Sequence, residues 1–422
     1  MTEQLRSNNE SFLVSSIYQS ADSESRQSNP VHYRFNKSIV PSAVDFDTQV
    51  QMSNPGFNQT FRAEVPRKSF SWGGFVKLDI TYTGAATTVY KDILTAANKH
   101  TNLGFLNAID EITLETRKEV LYRMKQHSIY TWLEGQEEEL RDAFKLIMLN
   151  GVLNDGTGNK PASDSVTDAS VTVNHYIPLS LFPPFRDHRQ SFQLDFIEPI
   201  QVVIRMKPAT QLDGKLFGTA ALASAVINSA VLNTSHFMLD NDALNKYYKM
   251  LEGQPKLQRI SEEYYENVNV IELTAGNVTA GSLEEKGVKI EGIHNATKLC
   301  LLALKDGTNE VADITSVRLT DGNKDLLSYD GVENKILAYR GLKGFTYSDT
   351  KVQELDFSVV DGDLHGESYG GSLSFNHMID PRIHVKVQEG TPAATSVYLI
   401  AKQLSTVHIN TASGSVQKGS SD

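Results

Sequence analysis

Along most of the chain, apolar residues recur at every second position. In "WGGFVKLDITYT", Val76, Leu78, Ile80 and Tyr82 fall on one side and Lys77, Asp79 and Thr81 on the other, the alternation of a strand with one buried face. The same period runs through Ile112 and Leu114, through Ile200, Val202, Ile204 and Met206, and through Leu355, Phe357 and Val359. Many short strands of this kind, divided by polar loops, predict an all-β chain built from sandwiches or barrels.

Two segments leave period two and predict helices. "HSIYTWLEGQEEELRDAFKLIMLNG" puts Ile129, Trp132, Leu133, Leu140, Phe144, Ile147 and Met148 on one stripe with acids opposite, and Asn150-Gly151 follows as a stop. One helix from Ser128 to Leu149 is expected, its stripe covered by a sandwich flank or by a neighbouring subunit. The loop after it, Asn154 to Asp164, is expected to stay exposed. In "LDNDALNKYYKMLEGQ", Asp240 or Asn241 can cap a helix whose Leu244, Tyr247, Tyr248 and Leu251 share a face, with Gly253 just past its end.

A repeat organises the strands. Ile109 and Leu114 of "IDEITLETRKEVL" match Ile314 and Leu319 of "ITSVRLTDGNKDLL" at an offset of 205, and Ile197-Glu198-Pro199 matches Ile379-Asp380-Pro381 at an offset of 182. The first copy therefore carries 23 extra residues between its landmarks (205 − 182), and the helix at Ser128–Leu149 is the candidate insertion. After Pro199 the apolar positions fall at odd steps and after Pro381 at even steps, so a slip of one residue separates the copies. Pro199 and Pro381 can also stand there simply as strand starts, where a missing N–H costs little.

The expected division is a flexible N-terminal arm at 1–35, a first unit at 36–210, a linker at 211–224, a second unit at 225–410 and a flexible C-terminal tail at 411–422. The arm is dominated by Ser, Asn, Gln and Glu and the tail by Ser and Gly, both with few apolar anchors, too little to offset the entropy of ordering. At 422 residues the chain is long enough for two full cores.

Charge and cysteine usage narrow the function classes. Forty Lys and Arg against 51 Asp and Glu give a net charge of −11, the wrong sign for a protein that coats phosphates, and no direct sequence-specific nucleic-acid binding is expected. Cys300 is the single cysteine, so no intramolecular disulfide can form, and a small buried apolar role is expected for it. No stretch approaches the ~20 apolar residues of a membrane span, and the first residues lack a signal-peptide pattern. Synthesis in the cytosol is expected.

Candidate chemistry is sparse. "GTGNK" at Gly156 lacks P-loop spacing and "GESYGGS" at Gly366 is no dinucleotide fingerprint, so both read as turns. Asp361, Asp363, His365 and Glu367 gather in one loop without the ligand pattern of a calcium loop. The 11 histidines include no zinc-protease pair. Trp72, Phe75, Trp132 and the tyrosine pairs at Tyr247 and Tyr264 could form a sugar or base platform, but aromatics at these spacings usually fill cores. No catalytic, cofactor-binding or metal-binding residue is assigned, and no enzyme activity is expected.

"HYIPLSLFPPFRDHRQSFQLDFIEPIQVVIRM" (175–206) resembles the segment of double jelly-roll major capsid proteins where a Tyr-Ile-Pro-Leu strand leads through a loop into the last strand of the first jelly roll. "SAVLNTSHFMLDNDALNKYYKMLEGQ" resembles the opening of the second jelly roll, and "GSLSFNHMIDPRIHVKV" with "TSVYLIAKQLSTVHINTASG" resembles its closing strands. The lineage comprises the adenovirus hexon and the coat proteins of tailless membrane-containing phages, large eukaryotic DNA viruses and virophages. The chain departs from it after Ile109, where "LETRKEVL" stands in place of an Ile-Gly-Gly-Gln-like turn. The resemblance implies two tandem eight-stranded jelly rolls with short helices inserted in loops. It implies a homotrimer forming a pseudo-hexagonal capsomer of an icosahedral virion shell, located in the virion, with neighbouring capsomers, penton and minor capsid proteins as partners. An internal viral membrane is left open as a further partner. Other readings are a tandem jelly-roll glycan-cleaving amidase, which needs a carboxylate set in a cleft, and a carbohydrate-binding virion spike, which needs an exposed aromatic patch.

Overall fold

The computed structural model describes residues 44–68, 70–84, 102–154, 170–186, 191–216, 222–239, 244–245, 248–249, 256–273, 286–330, 352–357, 372–388 and 394–419. The arm at 1–35, nearly all of the loop at 154–164, both glycine motifs and the acid cluster at 361–367 lie outside these residues, as does most of the helix expected after Leu239.

The first half contributes β1 (Val44–Gln51), β2 (Thr60–Glu64), β3 (Phe70–Gly84), β4 (Ile109–Glu115), β5 (Val120–Lys125), β6 (Val152–Leu153), β7 (Ser170–Pro178), β8 (Gln201–Met206) and β9 (Leu222–Met238). They form two sheets, in the orders β1-β9-β3-β7-β6 and β2-β8-β4-β5. With the two-residue β6 set aside, each sheet has four antiparallel strands, the arrangement of a jelly roll. Val76, Leu78, Ile80 and Tyr82 of β3 all point into the core, as their period predicts.

The second half contributes β10 (Lys256–Glu266), β11 (Ile271–Leu273), β12 (Lys286–Lys289), β13 (Asn295–Lys305), β14 (Val311–Asp321), β15 (Lys324–Asp330), β16 (Gln353–Asp356), β17 (Leu373–Ser374), β18 (Pro381–Gln388), β19 (Thr395–Asn410) and β20 (Val416–Lys418). One layer runs β10-β19-β13-β16. The other runs β12-β18-β14-β15, joined to it through the β13–β14 hairpin. The short β11, β17 and β20 extend the first layer along β13 and β19. The eight main strands repeat the first jelly roll strand for strand, so the fold is two tandem eight-stranded jelly rolls with short helices in the loops.

The repeat seen in the sequence sits on equivalent strand pairs. In β4–β8, Ile112 faces Ile204 and Leu114 faces Val202; in β14–β18, Val317 faces Val385 and Leu319 faces Ile383. These partners are 205 and 181 residues apart (317 − 112 and 385 − 204), against 182 between the two Ile-acid-Pro motifs. The missing residue lies between the proline and the paired strand: Ile204 stands five residues after Pro199, and its counterpart Val385 four after Pro381. The insertion also falls where the arithmetic puts it. Residues 126–169 separate β5 from β7, and residues 331–352 separate β15 from β16, a difference of 22 (44 − 22).

Three features depart from the sequence reading. The segment 222–238, assigned to a linker and the start of the second unit, is β9, which lies between β1 and β3 in the first jelly roll. Its alternation marks a strand; the choice of partners is a long-range event that alternation cannot encode. The helix expected from Ser128 to Leu149 is broken in two: α1 (Gln126–Glu134) stops at Gly135, and α2 (Glu138–Phe144) passes into a π-helical turn at Lys145–Asn150. Gln136 Nε2 donates to the carbonyl of Trp132 at 2.9 Å, closing α1 with a side chain where the ladder ends. The break turns Leu140 into solvent, 49% exposed, while Trp132, Leu133 and Met148 remain buried. Finally, the tail expected to be free from Thr411 is a turn followed by β20, paired with β19.

The run "LCLLAL" in β13 lacks alternation because both faces of the strand are covered. Leu299, Leu301 and Ala303 join the core of the second jelly roll. Cys300, Leu302 and Leu304 join the core that continues through the first jelly roll. The two sandwiches thus share apolar packing across their junction.

Candidate functional site

The chemistry-bearing side chains that the fold brings together lie at this junction. α1 leaves β5 directly, so its first turn is carried to the edge of the first jelly roll, against β10 and β19 of the second. Lys207 Nζ donates to Gln126 Oε1 at 2.8 Å. Gln126 Nε2 can only donate, and does so to His127 Nε2 at 2.7 Å. His127 Nδ1 is thereby the protonated nitrogen and donates to Glu266 Oε1 of β10 at 3.2 Å, while the imidazole stacks on Tyr398 at 3.6 Å between ring centres.

Burial pulls the His127 pKa below its ordinary value despite the pull of Glu266. For Glu266, burial pushes upward, but the hydrogen bond from His127 and the charges of Lys125 and Lys207 outweigh it and hold the carboxyl below the usual range. The pair is a neutral imidazole donating to a carboxylate. Both side chains are more than nine-tenths covered, so the arrangement ties two domains together and offers no path for substrate.

A second set of ties joins the C-terminal segment to the first jelly roll. Glu198 N–H donates to the Gly414 carbonyl at 2.8 Å, and Glu198 Oε1 accepts from Val416 N–H at 2.8 Å. Lys418 N–H donates to Glu119 Oε1 at 2.9 Å, while its Nζ reaches Glu263 Oε2 of its own jelly roll's β10 at 2.8 Å. Tyr122 of β5 meets Ser261 of β10 at 3.3 Å. Leu257, Val407, Ile409 and Val416 pack into the first core behind these polar groups. Asn309, in the β13–β14 turn, donates to Asn107 of the first jelly roll, and Asn102 and Glu310 form an antiparallel bridge. The acid of the first Ile-acid-Pro motif is thus the anchor of the chain's own C-terminal strand.

The other residues weighed in the sequence fall into structural places. Cys300 is buried, its thiol pushed far up by burial and then by Glu354. Trp132 fills the core beside Phe144, and Tyr264 is buried with Lys402 Nζ 5.3 Å from its ring centre. Phe75 is 38% exposed and edge-on to Tyr176. Tyr247 and the side chain of Trp72 lie outside the described residues. Among the described residues no three His, Cys, Asp or Glu are grouped to hold a metal ion. The buried acids are engaged: Glu134 with Lys145, Glu263 with Lys418 and Glu266 with His127. Sequence reasoning singled out Glu198 but missed its partner Gly414 and the His127–Glu266 pair elsewhere in the seam. None carries a local signal for a contact more than a hundred residues away.

His175 gives this architecture a measurable acid response. It is fully buried, stacked on Phe105, with Tyr82 Oη and the Met148 carbonyl each at 3.1 Å. Burial lowers its pKa to about 3, whereas the unfolded chain binds the proton near ~6.5. Its contribution is therefore complete above ~6.5 and is lost as pH falls toward the folded value, by about 1.4 kcal/mol per pH unit. Urea unfolding at pH 7 and pH 4.5 should show His175→Gln, which keeps a donor and an acceptor, losing less stability over that interval than the parent. Equal losses would mean that His175 is not the buried neutral group described.

No protein-family model and no curated protein sequence matches the chain. Solved structures do. The chain superposes on PBCV-1 VP54, a structure fitted into a cryo-EM reconstruction of the virophage Sputnik, with TM-score 0.64 and 12% identity, covering 92% of this chain and 100% of that one. The Faustovirus major capsid protein gives 0.59 at 10% identity over 96% and 98%, and the mavirus major capsid protein 0.53 at 8% over 88% and 90%. The likeness runs over most of the chain, which has the double jelly-roll fold of these viral proteins.

Proposed function

We propose that the chain is the major capsid protein of an icosahedral virion, that it works as a homotrimer, and that three copies set six jelly rolls into a pseudo-hexagonal capsomer. The observation that carries this reading is the seam. Two complete jelly rolls are welded by a shared apolar core and by hydrogen-bonded ties, which makes one chain a rigid two-part brick. A brick of two equivalent parts lets a three-fold oligomer present six similar faces, the number that hexagonal tiling of a shell requires. The full-length likeness to proteins named as major capsid proteins supports the same reading.

In a shell the chain meets neighbouring capsomers, penton and minor capsid proteins, and its place is the virion. Its function is structural rather than enzymatic: the described buried acids are each tied up by a basic side chain or an imidazole, which leaves the amidase reading without support from any of them. The spike reading gains nothing from Phe75, which is packed edge-on against Tyr176. Size-exclusion chromatography with light scattering tests the proposal. A stable particle of three chain masses is expected, and a monomer at all concentrations would reject it.

A further inference from the structure

The two Ile-acid-Pro loops occupy equivalent places, each leading into the strand that pairs with β4 or β14, yet their burial is opposite. Ile197 is 1% exposed, whereas Ile379 is 92% exposed. What covers the first loop is the end of the second jelly roll's β10–β19 ribbon with its appended β20, through Gly414 and Val416. The corresponding ribbon of the first jelly roll is β1–β9, whose end carries Met238, itself 49% exposed. Among the described residues of one chain, then, one loop and one ribbon end have met, and the equivalent loop and ribbon end have not.

The second loop is also built to present its side chain. The N–H groups of Ile379 and Asp380 both donate to Asp321 Oδ1 at 2.9 Å, and Asp380 Oδ2 is held by Arg382 at 2.8 Å. The acid that anchors a strand in the first loop is here turned to its own arginine. What the loop offers outward is therefore an isoleucine on a fixed turn, an apolar contact with little ordering entropy left to lose on association.

We infer that the Ile379 loop is a contact between copies of this chain, seated against the end of the β1–β9 ribbon of a second copy. The interface is head-to-tail, repeating between chains the seam that joins the two jelly rolls within one. It rests on the assembly reading above and adds the surfaces that assembly uses. A heterologous contact of this kind closes into a ring when its rotation divides the circle.

Two experiments on the full chain test it. Ile379→Asp should weaken association at least ~10-fold, as loss of a central apolar anchor does, with the circular dichroism and unfolding midpoint of the parent. Val268→Asp, also at a well-exposed apolar position, should associate normally. Equal association of Ile379→Asp and the parent, or equal loss in Val268→Asp, would overturn the inference. In the second experiment, Ile379→Cys and Met238→Cys are combined, Cys300 being buried, and a short bismaleimide is added. A ladder of two and three linked chains is expected from the double variant. Trimers by light scattering with no ladder, or linked pairs from Ile379→Cys alone, would reject this contact and leave the assembly reading standing. A monomer throughout would reject both.

Discussion

Replacing Trp132 with alanine is expected to destabilise the chain by about 3–5 kcal/mol, the range for truncating a fully buried tryptophan. The side chain is 1% exposed and its ring lies 5.3 Å from that of Phe144, so α1 and α2 cannot close over the space without moving each other. α1 also carries Gln126 and His127 to the seam, and a loosened α1 loses hold of Glu266. Urea unfolding should therefore show a large drop in midpoint, with hydrogen exchange at the α1 amides rising in the same variant. Leu140→Ala is the comparison. The helical stripe places Leu140 and Trp132 together, but Leu140 is half exposed, and its truncation should fall within about 0.5 kcal/mol. Equal effects of the two substitutions would mean that the break at Gly135 is not real.

A Gly414→Val chain is expected to release β20 from the first jelly roll, at a cost of about 2–6 kcal/mol. Gly414 has φ +68, and a Cβ there would stand 2.3 Å from the Phe196 carbonyl oxygen, which is backbone and cannot swing aside. A β-branched residue in the left-handed region costs ~1–3 kcal/mol by itself. Displacing the turn also breaks the bonds of Glu198 to Gly414 and Val416, each worth about 0.5–1.5 kcal/mol. Gly322, at φ +58 with open space around it, separates the two costs: Gly322→Val should show the backbone part alone. Protection of the Val416 and Lys418 amides from exchange should vanish in Gly414→Val and persist in Gly322→Val. Retained protection in Gly414→Val would show that the C-terminal strand is not anchored through Glu198.

The strands were legible because period two is a local property. Val76 to Tyr82, Ile112 with Leu114, and Ile200 to Met206 point inward as their spacing requires. The duplication was legible through Leu114 and Leu319, which occupy the same register position opposite Val202 and Ile383. What the pattern did not carry is partnership. β9 alternates like any other strand, and only its pairing with β1 and β3 assigns it to the first jelly roll. The tail looked free because "NTASGS" has almost nothing apolar to bury. Its order comes from backbone groups meeting Glu198 and Glu119, side chains more than two hundred residues away in sequence. The seam was hidden for the same reason: His127 reads as one helical residue and Glu266 as one strand residue until the fold sets them 3.2 Å apart.

The claim that one chain supplies two equivalent parts of a capsomer is tested most directly by electron cryomicroscopy of the purified assembled protein. The account predicts three-fold particles with six lobes of similar size, each lobe fitted by one jelly roll and the Ile379 loop lying at every boundary between chains. Particles of two lobes, or a three-fold particle in which β1–β9 faces solvent all around, would contradict it.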